Sequence, residues 1–209
     1  MRSLRTIVFC AVALISIASR AQNSAGSYSE SNQNPAGPQP SSTSAAQNYF
    51  TDTALVNQDG QTVRFYSDLL KDRVVVINSF FTTCTSACPP MYAGLAKVQD
   101  SFGEQFGKQL FFISISVDPL VDTPEKLKAF ATKFHAKPGW SFLTGEREKV
   151  EFILRKLGQY VEDKEKHLII LIIGNEKTGL WKKAFALSKP DELVALIKTV
   201  LDDKGEIKQ

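Results

Sequence analysis

The chain has 209 residues, 43% of them hydrophobic and 22% charged, a composition that fits one globular core and excludes a wholly disordered or fibrous protein. Lysine and arginine outnumber the acids 25 to 22, but Arg2, Arg5 and Arg20 lie near the N-terminus, and without them the count is 22 to 22. The basic pI of about 8.7 therefore belongs to a leader, and the body carries no excess that would recruit nucleic acid. Three cysteines are too few for a disulfide-built scaffold.

Residues 1–21 read as a secretory signal: Arg2 and Arg5, an apolar run from Ile7 to Ala18, then Ser19-Arg20-Ala21 as a small-x-small cleavage site. The run is shorter than the roughly 20 apolar residues a membrane helix needs. An uncleaved anchor is the alternative, which leaves membrane attachment through this segment open; either way the body is exported, to the periplasm or to a periplasm-facing membrane surface. Cys10 follows the bulky Phe9 and does not resemble a lipoprotein cysteine. Residues 22–47 are rich in Gly, Ser, Asn, Gln and Pro, with Glu30 as their only charge. Such a segment has too little to bury to offset its ordering entropy and is expected to be a disordered linker, with a folded domain over 48–209.

Within that domain, Ala54 to Asn57 and Thr62 to Phe65 flank Asp59-Gly60, a hairpin signal. VVVINSFF, from Val74 to Phe81, is a nearly continuous apolar run that predicts a strand buried on both faces. A helical stripe of Met91, Leu95, Val98 and Phe102 follows Pro89-Pro90 and leads to a second buried strand, Leu110 to Val117. Thr123-Pro124 predicts a helix start, a capping hydroxyl followed by proline at the first position. Trp140 to Leu143 suggests a short strand, and Val150, Ile153, Leu154 and Leu157 a helix closed by Gly158. HLIILIIG from His167 and LWKKAFA from Leu180 flank a polar turn, and Pro190 opens a last helix. This order predicts an α/β fold of thioredoxin-like plan: a central mixed sheet flanked by helices, with an N-terminal hairpin and a helical insertion.

Cys84 and Cys88, in FTTCTSACPP, fall where the first buried strand ends and its helix begins, the edge where chemistry gathers in open α/β sheets. A helix starting near Cys84 would put both sulfurs on one face, able to close a disulfide or to clamp a soft ion. The helix start is expected to lower both thiol pKa values, favouring metal binding and thiol exchange alike. A purely structural disulfide is the simpler alternative, yet a loop this short contributes little to stability. His167 opens a strand that, if antiparallel to VVVINSFF, begins at the cysteine edge. Two thiolates and one imidazole suit copper, thiolates favouring Cu(I) and imidazole also serving Cu(II), whereas structural zinc wants a fourth ligand. The competing expectation is that His167 is only a polar residue at the mouth of a strand. His135 reads as an exposed or capping histidine. Asp118 shares the edge and either orients a ligand or serves as a turn residue in Asp-Pro. A peroxidase is poorly supported: Thr85-Ser86-Ala87-Cys88 offers a T-x-x-C fragment, but Phe81 stands where the preceding proline belongs.

These residues together resemble the Sco (SCO1/SenC) family, exported thioredoxin-like copper chaperones of cytochrome c oxidase assembly. The resemblance runs from about Thr51 onward and rests on NSFFTTCTSACPPMYAGL, on ISVDPLVDTPEKLKAFA and on His167 before its hydrophobic strand. It implies Cu(I) or Cu(II) held by Cys84, Cys88 and His167 and delivered to the dinuclear copper centre of cytochrome c oxidase subunit II, or to another exported copper or thiol protein. Some members are thought instead to reduce the receiving cysteines, which would make Cys84 and Cys88 a redox pair, Cys84 attacking and Cys88 resolving. The chain departs from the family in having Lys166, rather than aspartate, directly before the histidine.

Overall fold

The computed structural model describes residues 42–205, and the secretory-signal expectation, Cys10 and most of the linker lie outside them. The first described element is a helix, α1 (Ser42–Phe50), which begins inside the stretch that composition assigned to a tether ending at residue 47. Ala45 and Ala46 favour a helix. Phe50 is buried against Trp181 with ring centroids 5.1 Å apart, and the Tyr49 hydroxyl donates to the Lys156 carbonyl at 3.0 Å. Tertiary contact thus orders a segment whose overall polarity hides it.

Seven strands form one mixed sheet in the order β2-β1-β5-β4-β3-β6-β7. Its centre is β3 (Val74–Phe80), parallel to β4 (Leu110–Ser116) and antiparallel to β6 (Ile170–Asn175). β4 is in turn parallel to β5 (Trp140–Thr144), and β6 pairs with β7 (Leu180–Phe185) as the expected hairpin. This parallel unit joined to an antiparallel hairpin is the thioredoxin-like plan. The N-terminal hairpin, β1 (Ala54–Asn57) and β2 (Thr62–Arg64), extends the same sheet by pairing antiparallel with β5.

Helices cover both faces. Alternation along β3 sends Val74, Val76 and Phe80 to one core and Val75 and Ile77 to the other, so the strand is buried along its whole length. The first core is roofed by α2 (Cys88–Ser101), α3 (Pro124–Lys133) and α5 (Pro190–Leu201), through Met91, Leu95, Leu127, Leu193 and Ile197. The second is covered by α4 (Arg147–Lys156) through Val150, Ile153 and Leu154, with the helical turn Phe65–Leu70. Thr123 caps α3 as expected, its side chain accepting from the Lys126 N–H at 3.5 Å. His135, exposed at φ 55°, closes the same helix by donating its N–H to the Thr132 carbonyl at 3.1 Å.

The first core is aromatic. Tyr92 stacks on Trp140 at 5.7 Å and 12° and meets Phe130 edge to face at 4.8 Å, while Phe142 lies 5.3 Å from Trp140. The polar atoms buried there are satisfied in a chain: Trp140 Nε1 donates to Ser114 Oγ (3.0 Å), Ser114 Oγ to Asn78 Oδ1 (2.9 Å), and Asn78 Nδ2 to the Tyr92 hydroxyl (2.9 Å). A satisfied buried network fixes the registry of the layers it joins. Phe142 is fully buried at the middle of this cluster, so Phe142→Ala is expected to lower unfolding free energy by about 3–5 kcal/mol, measured by urea denaturation of the reduced protein.

Candidate metal and thiol centre

Three loops meet at the carboxyl edge of the sheet: residues 81–87 after β3, residues 117–123 after β4, and residues 157–169 before β6. Antiparallel pairing of β6 with β3, in the register Ile77↔Ile172, starts β6 where β3 ends. His167 is thereby brought to the cysteines. One difference from expectation is local: His167 does not lie in the strand but ends a tight helical turn, Lys164–Lys166, before β6 begins at Ile170.

The sulfurs of Cys84 and Cys88 and a ring nitrogen of His167 all lie within 4.8 Å of one another. All three residues are buried, and they are the one such ligand group found among the described residues. Cys88 Sγ stands 3.5 Å from His167 Nε2 although the two are 79 positions apart in sequence. The other ring nitrogen, Nδ1, lies 3.1 Å from the Lys164 carbonyl. A carbonyl can only accept, so Nδ1 carries the proton and Nε2 presents its lone pair to the sulfurs. Burial holds the His167 pKa below its ordinary value against the opposing pull of the Lys164 carbonyl and Glu165, which keeps the ring neutral and able to ligate.

The cysteines reach each other differently from the expected one-turn spacing. The helix begins at Cys88, not near Cys84, because Pro89 and Pro90 are tolerated only in a first turn. Cys84 instead lies on a loop that folds back over the helix start, where the Cys88 N–H donates to Cys84 Sγ at 3.4 Å. The two thiols are unjoined, and the expectation that both are acidified is corrected for one of them. Burial works against the Cys84 thiolate but is outweighed by hydrogen bonds from the Cys88 thiol, the Cys88 N–H and Ser86, so its pKa falls below the ordinary thiol value. Burial, together with donation to Cys84, pushes the Cys88 thiol far upward. The amides at the helix start serve the sulfur in front of them, not the one packed behind.

Two acids brace this edge. Asp118 does not join the ligand group; its Oδ2 lies 2.7 Å from Lys164 Nζ. Asp122 is fully buried and accepts from the Thr82 N–H (3.1 Å) and from Ser116 Oγ (2.6 Å), fastening the cysteine loop to β4. Sequence reasoning missed Asp122 because the Thr123-Pro124 helix start already explained that stretch. The Phe81 ring walls the site, meeting the His167 ring edge to face at 5.3 Å. Lys166, directly before the histidine, is largely exposed and pairs with Asp163 at 3.5 Å.

A family model described as SCO1/SenC matches residues 41–202. A SCO1 protein homolog of Bacillus subtilis is 37% identical over 112 residues, covering 52% of this chain and 56% of that protein; the chain spans about half the length of the curated relatives it matches. A SCO1/SenC family lipoprotein from Bacillus anthracis superposes with a TM-score of 0.61 at 31% identity, over 71% of this chain and 92% of that one. ScoI of Arabidopsis thaliana, solved with copper bound, shares the fold with a TM-score of 0.59 at 23% identity, over 72% and 96% of the two chains. No helix among the described residues is long and apolar enough to cross a membrane.

The asymmetry of the thiols is open to direct measurement. Because a lowered pKa raises the thiolate fraction at a given pH, limiting iodoacetamide is expected to alkylate Cys84 first, with half-maximal rate at a lower pH than for free cysteine, while Cys88 stays unmodified across that range. Peptide mass spectrometry of pH-stepped samples reads both.

Proposed function

The chain belongs to the SCO1/SenC family, and from that premise we propose that it is an exported metallochaperone that carries copper on Cys84, Cys88 and His167 and hands it to the dinuclear copper site of cytochrome c oxidase. The carrying observation is the convergence of two sulfurs and one imidazole nitrogen within 4.8 Å from segments far apart in sequence. The donor set matches the cargo: thiolates hold Cu(I), and the imidazole extends the site to Cu(II). Metal–sulfur bonds of roughly 2.3 Å let two sulfurs on one ion stand up to about 4.6 Å apart, so the group accommodates an ion with little rearrangement. Copper is also what ScoI of Arabidopsis thaliana holds on the same fold. A ligand set of three leaves room for an incoming partner ligand. Export rests on the N-terminal leader read from the sequence.

A second reading, thiol-disulfide exchange, is favoured by the unequal thiols. The Cys84 thiolate would attack a partner disulfide and form a mixed disulfide. Cys88, losing its proton, would then displace the partner's sulfur, leaving a Cys84–Cys88 disulfide here and a dithiol on the partner. BsSco, a member of the Sco family of cytochrome c oxidase assembly proteins in which a disulfide switch has been identified, is 27% identical with a TM-score of 0.61.

Removing the imidazole separates the two. His167→Ala is expected to weaken Cu(II) binding by more than about 100-fold, beyond the 10–100-fold typical of losing a supporting partner, while sparing disulfide exchange. Competition titration of Cu(II) against a chelator checks the first, and reduction of a disulfide-bonded peptide the second. Full Cu(II) affinity without the ring would contradict the copper site.

A further inference from the structure

Residues 157–169, which carry His167, join α4 to β6, and only at Ile169, which accepts from the Ala186 N–H, do they meet a strand neighbour by a backbone hydrogen bond. A ligand on such a segment stays aimed only if something holds the segment. Among the described residues, one ion pair ties it to the rest of the fold: Lys164 Nζ to Asp118 Oδ2, at 2.7 Å, with the Asp118 side chain only 15% exposed. The same ammonium lies 5.1 Å from the centre of the Phe81 ring, and that ring meets the His167 ring edge to face. The backbone carbonyl of Lys164 is the acceptor of the His167 Nδ1–H, and it also accepts the His167 backbone N–H at 3.1 Å. One residue therefore touches the anchor on the β4 loop, the ring beside the imidazole and the imidazole itself.

We propose that Lys164 is a positioning residue for His167: clamped to Asp118 and laid over Phe81, it fixes the turn whose carbonyl sets the ring's tautomer and points Nε2 at the two sulfurs. The inference deepens the copper reading and rests on it for its metal arm only. A group that hydrogen-bonds the far nitrogen of a ligating histidine sets ring orientation and ligand basicity. Here that group is a carbonyl whose own position depends on a side chain three residues upstream. Cu(II), which draws on the imidazole, is sensitive to the clamp; Cu(I), held by the thiolates, is not.

The test compares the full chain as wild type, Lys164→Met, Lys164→Arg and Asp118→Asn. Long-range proton–nitrogen NMR on the reduced, copper-free protein, at a pH where the ring is neutral, reads the His167 tautomer. Wild type and Lys164→Arg are expected to show the Nδ1–H form; Lys164→Met and Asp118→Asn are expected to show a mixture. In chelator competition the latter two are expected to lose about 10–100-fold in Cu(II) affinity, with Cu(I) affinity unchanged and Lys164→Arg restored. The proposal is overturned if Lys164→Met keeps the wild-type tautomer and Cu(II) affinity, if Cu(I) affinity falls in parallel, or if Lys164→Arg is as impaired as Lys164→Met. Should the wild type take up no copper, the functional reading fails, while the tautomer comparison still decides the clamp.

Discussion

The antiparallel register between β3 and β6 is the constraint from which the site follows. Pairing Ile77 with Ile172 sets where one strand leaves the sheet and where the other enters it, and both points fall on one edge. The cysteine loop continues from the first strand and the histidine turn leads into the second. A register slip of one residue would turn every side chain of β6 to the opposite face and exchange the residues that fill the two cores. Leu171 and Ile173 must join one core and Ile172 the other. The hydrophobic effect thus delivers a polar ligand to its place, where Cys88 Sγ meets His167 Nε2 at 3.5 Å.

On that edge, the chain makes two chemically unlike thiols from one residue type. Pro89 and Pro90 confine the helix start to Cys88, which buries that sulfur and turns its backbone N–H outward toward Cys84. A single backbone choice therefore acidifies one thiol and suppresses the other. Both a copper carrier and a dithiol reductant can use this arrangement, since each needs one sulfur that is readily available as thiolate. What distinguishes them is the third donor, and the chain supplies a neutral ring with its lone pair facing inward.

Much of this was legible in the sequence. Continuous apolar runs announced β3, β4 and β6, turn residues announced the hairpins, and the position of Cys84 and Cys88 between a strand and two prolines marked the edge. The rest needed three dimensions. Helix α1 is polar by composition, and tertiary contacts order it: Phe50 buried against Trp181 and Tyr49 bonded to the Lys156 carbonyl. A start for α2 near Cys84, which would have set the two sulfurs on one helix face, gives way to a start at Cys88, because Pro89 and Pro90 fit only a first turn. Nothing local marks Asp122 or Lys164 as a brace, because their partners Thr82 and Asp118 lie 40 and 46 residues away along the chain. Side chains whose role is to hold a loop carry no periodic signal.

The account stands on copper being shared by both sulfurs and the ring. X-ray absorption at the copper edge, on the full chain loaded with Cu(II), measures that directly. The account predicts a first shell containing two sulfurs and a nitrogen with the outer-shell scattering of an imidazole, and loss of that scattering in His167→Ala. A shell without imidazole scattering, or one identical in the wild type and His167→Ala, would contradict it.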